Sequence, residues 1–116
     1  MAINYQRMQA TATRMIRQNG ISYNVIRKGS VTVIAGIEHR SDDIRFTTTG
    51  VKTDYQPGEI DGTVIESGDV RIVFTAEQEI KTGDLIDVDG ITHRVVKPNP
   101  SKPADVVLCY KAQLRA

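Results

Sequence analysis

Apolar positions change their spacing at Gly20. Before it, Tyr5, Met8, Ala12, Met15 and Ile16 recur at intervals of three and four, the spacing of one face of an α-helix. Gln6, Arg7, Gln9, Thr13, Arg14 and Arg17 take the remaining surface. The pattern predicts a helix over residues 2–18. Asn19-Gly20 ends it, because glycine takes the left-handed position after a helix without a Cβ penalty. The apolar stripe is narrow and rich in methionine, so the helix is expected to dock on a larger body.

After Gly20 the period becomes two. Residues 21–27 and 30–35 read as strands, and the Lys28-Gly29 pair between them suits a short turn. Val70, Ile72 and Phe74 alternate with Arg71, Val73 and Thr75 in a half-buried strand. Residues 84–97 carry the clearest hairpin, because Asp89-Gly90 favours a two-residue turn with positive φ. That register sets Val88 opposite Ile91 and Ile86 opposite His93 on one face, with Asp87, Thr92 and Arg94 on the other. In a last strand over 104–115, Val106, Leu108, Tyr110, Ala112 and Leu114 point one way. Asp105, Val107, Cys109, Lys111, Gln113 and Arg115 point the other.

Two segments interrupt the alternation. Pro98, Pro100 and Pro103 make a stiff, donor-poor link between the last two strands. Residues 37–68 are long and polar, with one strand expected near 46–53 and another at 63–66, and turn signals at Pro57-Gly58 and Asp61-Gly62. A connection of this length in a small domain points to function or disorder. No internal repeat is legible. The whole predicts a mainly β chain: one domain over 1–116, with an N-terminal α-helix, a small antiparallel β-barrel of six or seven strands over 21–115, and one long loop at about 37–68. Closing the sheet removes the edges that so short a sheet otherwise exposes.

Composition narrows this little. With 116 residues, no Trp and six other aromatic rings, the core must rest on Val, Ile, Leu and Met. No run reaches the length of a membrane helix, the opening residues lack a secretory h-region, and a single cysteine excludes an internal disulfide framework. The expectation is a soluble protein made in a reducing cytoplasm. Charge is uneven: five basic and no acidic residues through position 37, then thirteen carboxylates against five basic residues from Glu38 to Asp89, then five basic residues against Asp105 alone. Such asymmetry suggests surfaces of opposite sign, suited to DNA, to an acidic partner or to head-to-tail pairing of copies.

Chemistry is sparse. There is no phosphate loop, nucleophile elbow or zinc-binding helix motif. His39 and His93 lack spaced ligand partners; His93 reads as a packed core histidine and His39 as part of a polar loop. Cys109 has no evident base or orienting group, so it reads as structural. Asp84, Asp87 and Asp89 do not fit a calcium loop. Glu59 and Asp61 fall on a Gly- and Pro-rich loop, where solvation or partner binding is the simpler role. No catalytic, metal or cofactor residues are assigned, and the expectation is a non-enzyme. Arg7, Arg14 and Arg17 form a candidate basic contact face, sufficient for phosphate. Phe74 and Tyr110 fall on core faces and leave few rings for base stacking.

The C-terminal half runs Gly83-Asp84, an alternating strand, Asp89-Gly90, the basic run Arg94-Val95-Val96, the link from Pro98 to Pro103 and the ending Gln113-Leu114-Arg115. In this order of pieces it resembles the small head–tail connector proteins of tailed phages and prophages. The opening NYQRMQATATRMIRQNG is similar too, so most of the chain takes part. The resemblance implies a head-closure or stopper subunit, resident in the virion neck and made in the bacterial cytoplasm. It implies a cyclic ring of copies, a hexamer in the virion, between the portal-bound head adaptor and the tail. Such a ring helps retain packaged DNA, with non-specific DNA contact and no membrane. A loop formed by Asp54, Tyr55, Gln56, Pro57, Gly58, Glu59, Ile60, Asp61 and Gly62 would enter the channel or the next ring. The alternatives are a tail-completion or tail-terminator subunit and a small nucleic-acid-binding β-barrel.

Overall fold

The structure, a computed structural model, describes residues 3–55, 65–66 and 68–116. The chain is mainly β, with one helix packed on a closed antiparallel barrel. Helix α1 spans Tyr5–Asn19. Asn4 caps it by accepting the Arg7 backbone N–H at 3.1 Å, which sets the start later than the expected residue 2. The stripe that meets the barrel is Tyr5, Gln9, Ala12, Thr13 and Ile16, rotated from the methionine-rich face, and only Ile16 is buried. The Gln9 side-chain amide donates to the Val107 carbonyl at 2.7 Å and helps fix this rotation. Gly20 ends the helix for a different reason from the one expected. Its φ is −104°, and a Cβ there would lie 2.3 Å from the Gly50 carbonyl oxygen. Glycine serves close approach at this position.

Among the described residues the strands are β1 (Ile21–Arg27), β2 (Val31–Ile34), β3 (Ile37–Arg40), β4 (Ile44–Asp54), β5 (Val70–Thr75), β6 (Leu85–Val88), β7 (Ile91–Lys97), β8 (Pro100–Ser101) and β9 (Cys109–Arg115). Around the barrel the order is β5-β4-β1-β6-β7-β9, closed by the β5–β9 pairing, with the short β8 beside β9. Every pairing is antiparallel. Tyr23, Val25, Ile72, Phe74, Ile86, Val88, Val95, Ala112 and Leu114 point inward with Ile80, as period-two alternation requires. Tyr23 and Phe74 meet edge to face, centroids 5.9 Å apart.

The hairpin of β6 and β7 has the expected register, Ile86 opposite His93 and Val88 opposite Ile91. Asp89 and Gly90 both take positive φ at its turn. Ile91, at the hairpin's end, is exposed nonetheless.

The expected pairing of 21–27 with 30–35 does not form. β1 pairs with β4 instead, and β2 pairs with β3 through an Ala35-Gly36 turn with φ of 54° and 79°. Gly29 lets two chain segments cross, since a Cβ there would lie 1.8 Å from the Ser41 carbonyl oxygen. The long loop expected at 37–68 is therefore shorter: β3 and β4 take residues 37–40 and 44–54, and His39 lies on exposed β3. Of the strand expected at 63–66, residues 63–64 lie outside the described ones, and Ile65 and Glu66 are not in a strand. The last strand begins at Cys109 rather than 104, because residues 102–108 turn away after β8.

Candidate functional site

Two buried carboxylates brace the barrel. Asp69 and Asp84 each follow a glycine with φ of 92°, Gly68 and Gly83. Each closes the same turn: the carboxylate accepts the backbone N–H three residues back, from Glu66 at 3.0 Å and from Lys81 at 2.9 Å. Each then takes a two-pronged arginine. Arg115 reaches Asp69 at 3.0 and 2.9 Å, and Arg27 reaches Asp84 at 2.9 Å through both nitrogens. The Gln113 amide adds a bond to Asp69 at 2.8 Å. Burial is the largest influence on the Asp69 carboxyl and pushes its pKa up. The Arg115 guanidinium, the Glu66 N–H and the Gln113 amide together outweigh it and hold the pKa below the ordinary value. Asp84 turns inward, away from the exposed Asp87 and Asp89, so the three acids do not converge. These pairs orient turns.

Other chemically suggestive residues are also absorbed by structure. Burial raises the Cys109 thiol pKa, against a smaller opposing pull from Lys111, which disfavours the nucleophilic thiolate. His93 is buried, with Nδ1 2.9 Å from the Ile91 carbonyl oxygen. Phe74 and Tyr110 lie in the core, as their faces predicted. Thr48 and Thr75 have buried hydroxyls without a hydrogen-bond partner among the described residues. Both line a polar chamber of about 190 Å³ beside the Arg17–Glu77 ion pair, a size that admits ordered water.

The most distinctive surface is the β2–β3 hairpin. Every one of its strand residues is exposed, on both faces, although Val31, Val33, Ile34 and Ile37 are apolar. Its base is clasped to the barrel. Asp43 accepts the Gly29 N–H at 2.9 Å and pairs with Lys28 at 3.3 Å. Ser30 donates its N–H to the Ser41 hydroxyl at 2.8 Å, and Ser41 donates its N–H to the Ser30 carbonyl at 3.0 Å. The Gly29 hydrogen bond first, and Lys28 second, lower the Asp43 pKa. The arm is fastened at its base, and none of its strand residues is buried.

A second apolar surface lies on α1. Ile3, Met8, Ala12, Met15 and Leu108 line an open trough of about 620 Å³, with Arg7 beside them. Arg14 and Arg17 line a separate depression with Gln18 and Glu77. All three arginines of the expected basic face lie exposed on α1. Arg7 borders the apolar trough, Arg17 is committed to Glu77, and Arg14 stands exposed between polar neighbours. Strand pairing gathers other cations where the sequence showed no cluster: Arg71, Lys97 and Lys111 line one shallow hollow with Tyr55, Asn99 and Gln113. The Arg71 guanidinium lies 5.2 Å from the centre of the Tyr55 ring.

In the proposed loop, Asp54 ends β4 and Tyr55 lies beside Arg71. Gln56, Pro57, Gly58, Glu59, Ile60, Asp61 and Gly62 lie outside the described residues. Among the described residues no helix is long and apolar enough to cross a membrane. Compared with protein-family models, curated proteins and solved structures, the chain matches none. Its functional reading therefore depends on its residues and their geometry.

Proposed function

We propose that this chain is a non-enzymatic structural subunit of a cyclic ring in the neck of a tailed phage, at the head-closure position where packaged DNA is retained. The observation that carries the reading is the clasped β2–β3 arm, with apolar side chains exposed on both faces. A two-stranded hairpin alone is marginal in water, so such an arm favours a covered state supplied by a neighbour. The resemblance of the GD–strand–DG–basic-strand pattern to head–tail connector proteins supports the choice of neck over other assemblies. The closed barrel supports it too, since a rigid body without free barrel edges suits a load-bearing ring. In this reading the segment from Asp54 to Gly62 meets the channel or the next ring, and Arg71, Lys97 and Lys111 offer non-specific phosphate contact.

Adding the purified chain to DNA-filled, tailless heads tests this. The reading predicts binding in fixed stoichiometry and heads that keep their DNA. Binding to isolated tails, with heads ignored, assigns a tail-completion subunit instead. Binding to neither, together with monomer affinity for DNA that falls steeply with salt, replaces the neck reading with a nucleic-acid-binding module.

A further inference from the structure

We infer that the outer face of β5, β9 and β7 is a docking strip for the phosphate backbone of duplex DNA, an inference that rests on the reading above and names its DNA contact. Strand register builds the strip from residues far apart in sequence. Gln113 on β9 stands opposite Arg71 on β5 and opposite Lys97 on β7, and Lys111 lies two residues along the same face. A β-bulge between Val95 and Lys97 is what puts Lys97 there. Strict alternation would send Lys97 to the face opposite Arg94; the bulge turns both outward, and both are exposed. By strand geometry the backbones of Arg71 and Lys97 lie about 10 Å apart across β9, with Lys111 about 7 Å along from Gln113.

Charge on this face is one-sided. Asp69 and Glu66, the acids that reach it among the described residues, are both held by Arg115. Arg94, Lys97 and Lys111 have no ion-pair partner among the described residues. Cations elsewhere on the barrel and helix are answered locally, Arg17 by Glu77, Lys28 by Asp43 and Lys52 by Asp89. Arg40 on the arm shares its face of β3 with Glu38, two residues before it.

The chemistry of the strip selects a backbone whose bases are turned away. Tyr55 is the one aromatic residue lining the hollow among the described residues, and the Arg71 guanidinium lies 5.2 Å from the centre of its ring. Single-strand sites are built on rings open to stacking bases. A strip of cations with a face of its ring already covered lacks that platform. Duplex DNA suits it better, with bases stacked inside and a dense row of phosphates outside. The side-chain amides at the hollow are engaged by the fold, Asn99 donating to the Lys111 carbonyl at 3.3 Å and Gln113 to Asp69 at 2.8 Å. Ammonium and guanidinium groups on phosphate position a protein on DNA and carry no sequence information, so the contact is independent of sequence.

Fluorescence anisotropy of the full-length protein with two short duplexes of unrelated sequence, across a salt series, tests the strip. The wild type is expected to bind both alike and more tightly than single strands of the same length, with log affinity falling against log salt at a slope of about −3. Lys97→Gln/Lys111→Gln should bind roughly tenfold more weakly and lower that slope by about 2, because each lysine on a phosphate adds about one to it. Arg14→Gln/Arg40→Gln removes the same charge from exposed positions elsewhere and should leave affinity and slope near those of the wild type. All four sites are exposed, so the variants should melt with the wild type. Equal losses in the two double variants overturn the strip in favour of diffuse charge. A preference for single strands, or for one sequence, overturns the duplex-backbone contact. Heads bound in fixed stoichiometry by a protein without DNA affinity remove the strip and leave the neck reading. DNA affinity lost with Lys97 and Lys111, in a protein that ignores heads and tails, keeps the strip and removes the neck reading.

Discussion

At the scale of single residues, the chain spends its buried charge on bracing. Asp84 is 2% exposed and answers Arg27 through both oxygens while closing its own turn. Asp84→Asn keeps the shape but leaves the Arg27 guanidinium uncompensated, and should cost about 2–4 kcal/mol in denaturant unfolding. Asp69 gives the pH signature. Its folded pKa lies below the ordinary 3.8, so the unfolded carboxyl binds a proton first as pH falls. The stability it contributes is complete above that value and is lost as pH drops through it toward the folded pKa. The melting temperature of the wild type should therefore fall below about pH 4, and Asp69→Asn should flatten that decline. Neither carboxylate's role was legible beforehand. The Gly-Asp pairs were visible at 68–69 and 83–84, but their partners Arg115 and Arg27 lie 46 and 57 positions away. Only strand pairing joins them.

At the scale of elements, local signals succeeded where turn chemistry was ordinary. Asp89-Gly90 announced its hairpin because both residues tolerate positive φ, and the observed register follows from it. The arm's turn stayed hidden because alanine at positive φ carries no such signal, and Lys28-Gly29 resembled a turn while serving a backbone crossing. Helix α1 was placed correctly from its period, but its docked face was not, since Met8 and Met15 look like core and lie exposed. Gly50 shows how tightly β4 is packed. A Cβ there would stand 2.6 Å from Ile72 Cγ2 and 2.8 Å from Phe74 Cδ1, both core side chains with nowhere to retreat. Gly50→Ala should destabilise the barrel by about 1–3 kcal/mol without altering the arm, as thermal unfolding and arm-specific hydrogen exchange can separate.

At the scale of the molecule, a closed barrel carries a fastened arm whose apolar strand residues are all exposed. Barrel closure was inferable from several short alternating strands and the need to remove edges. The arm was not inferable, because its residues were divided between a misassigned hairpin and a supposed loop. The interpretation as an assembly subunit makes a demand on the arm alone: it should matter for association and not for folding. The measurement that tests this most directly is light scattering across a concentration series, with and without DNA-filled heads, on the wild type and on a Val33→Asp/Ile37→Asp variant. Both sites are exposed, so the variant should melt with the wild type. The account predicts that the wild type gains mass with concentration or adds to heads and that the variant remains monomeric in both settings. Equal association by the two proteins would contradict it.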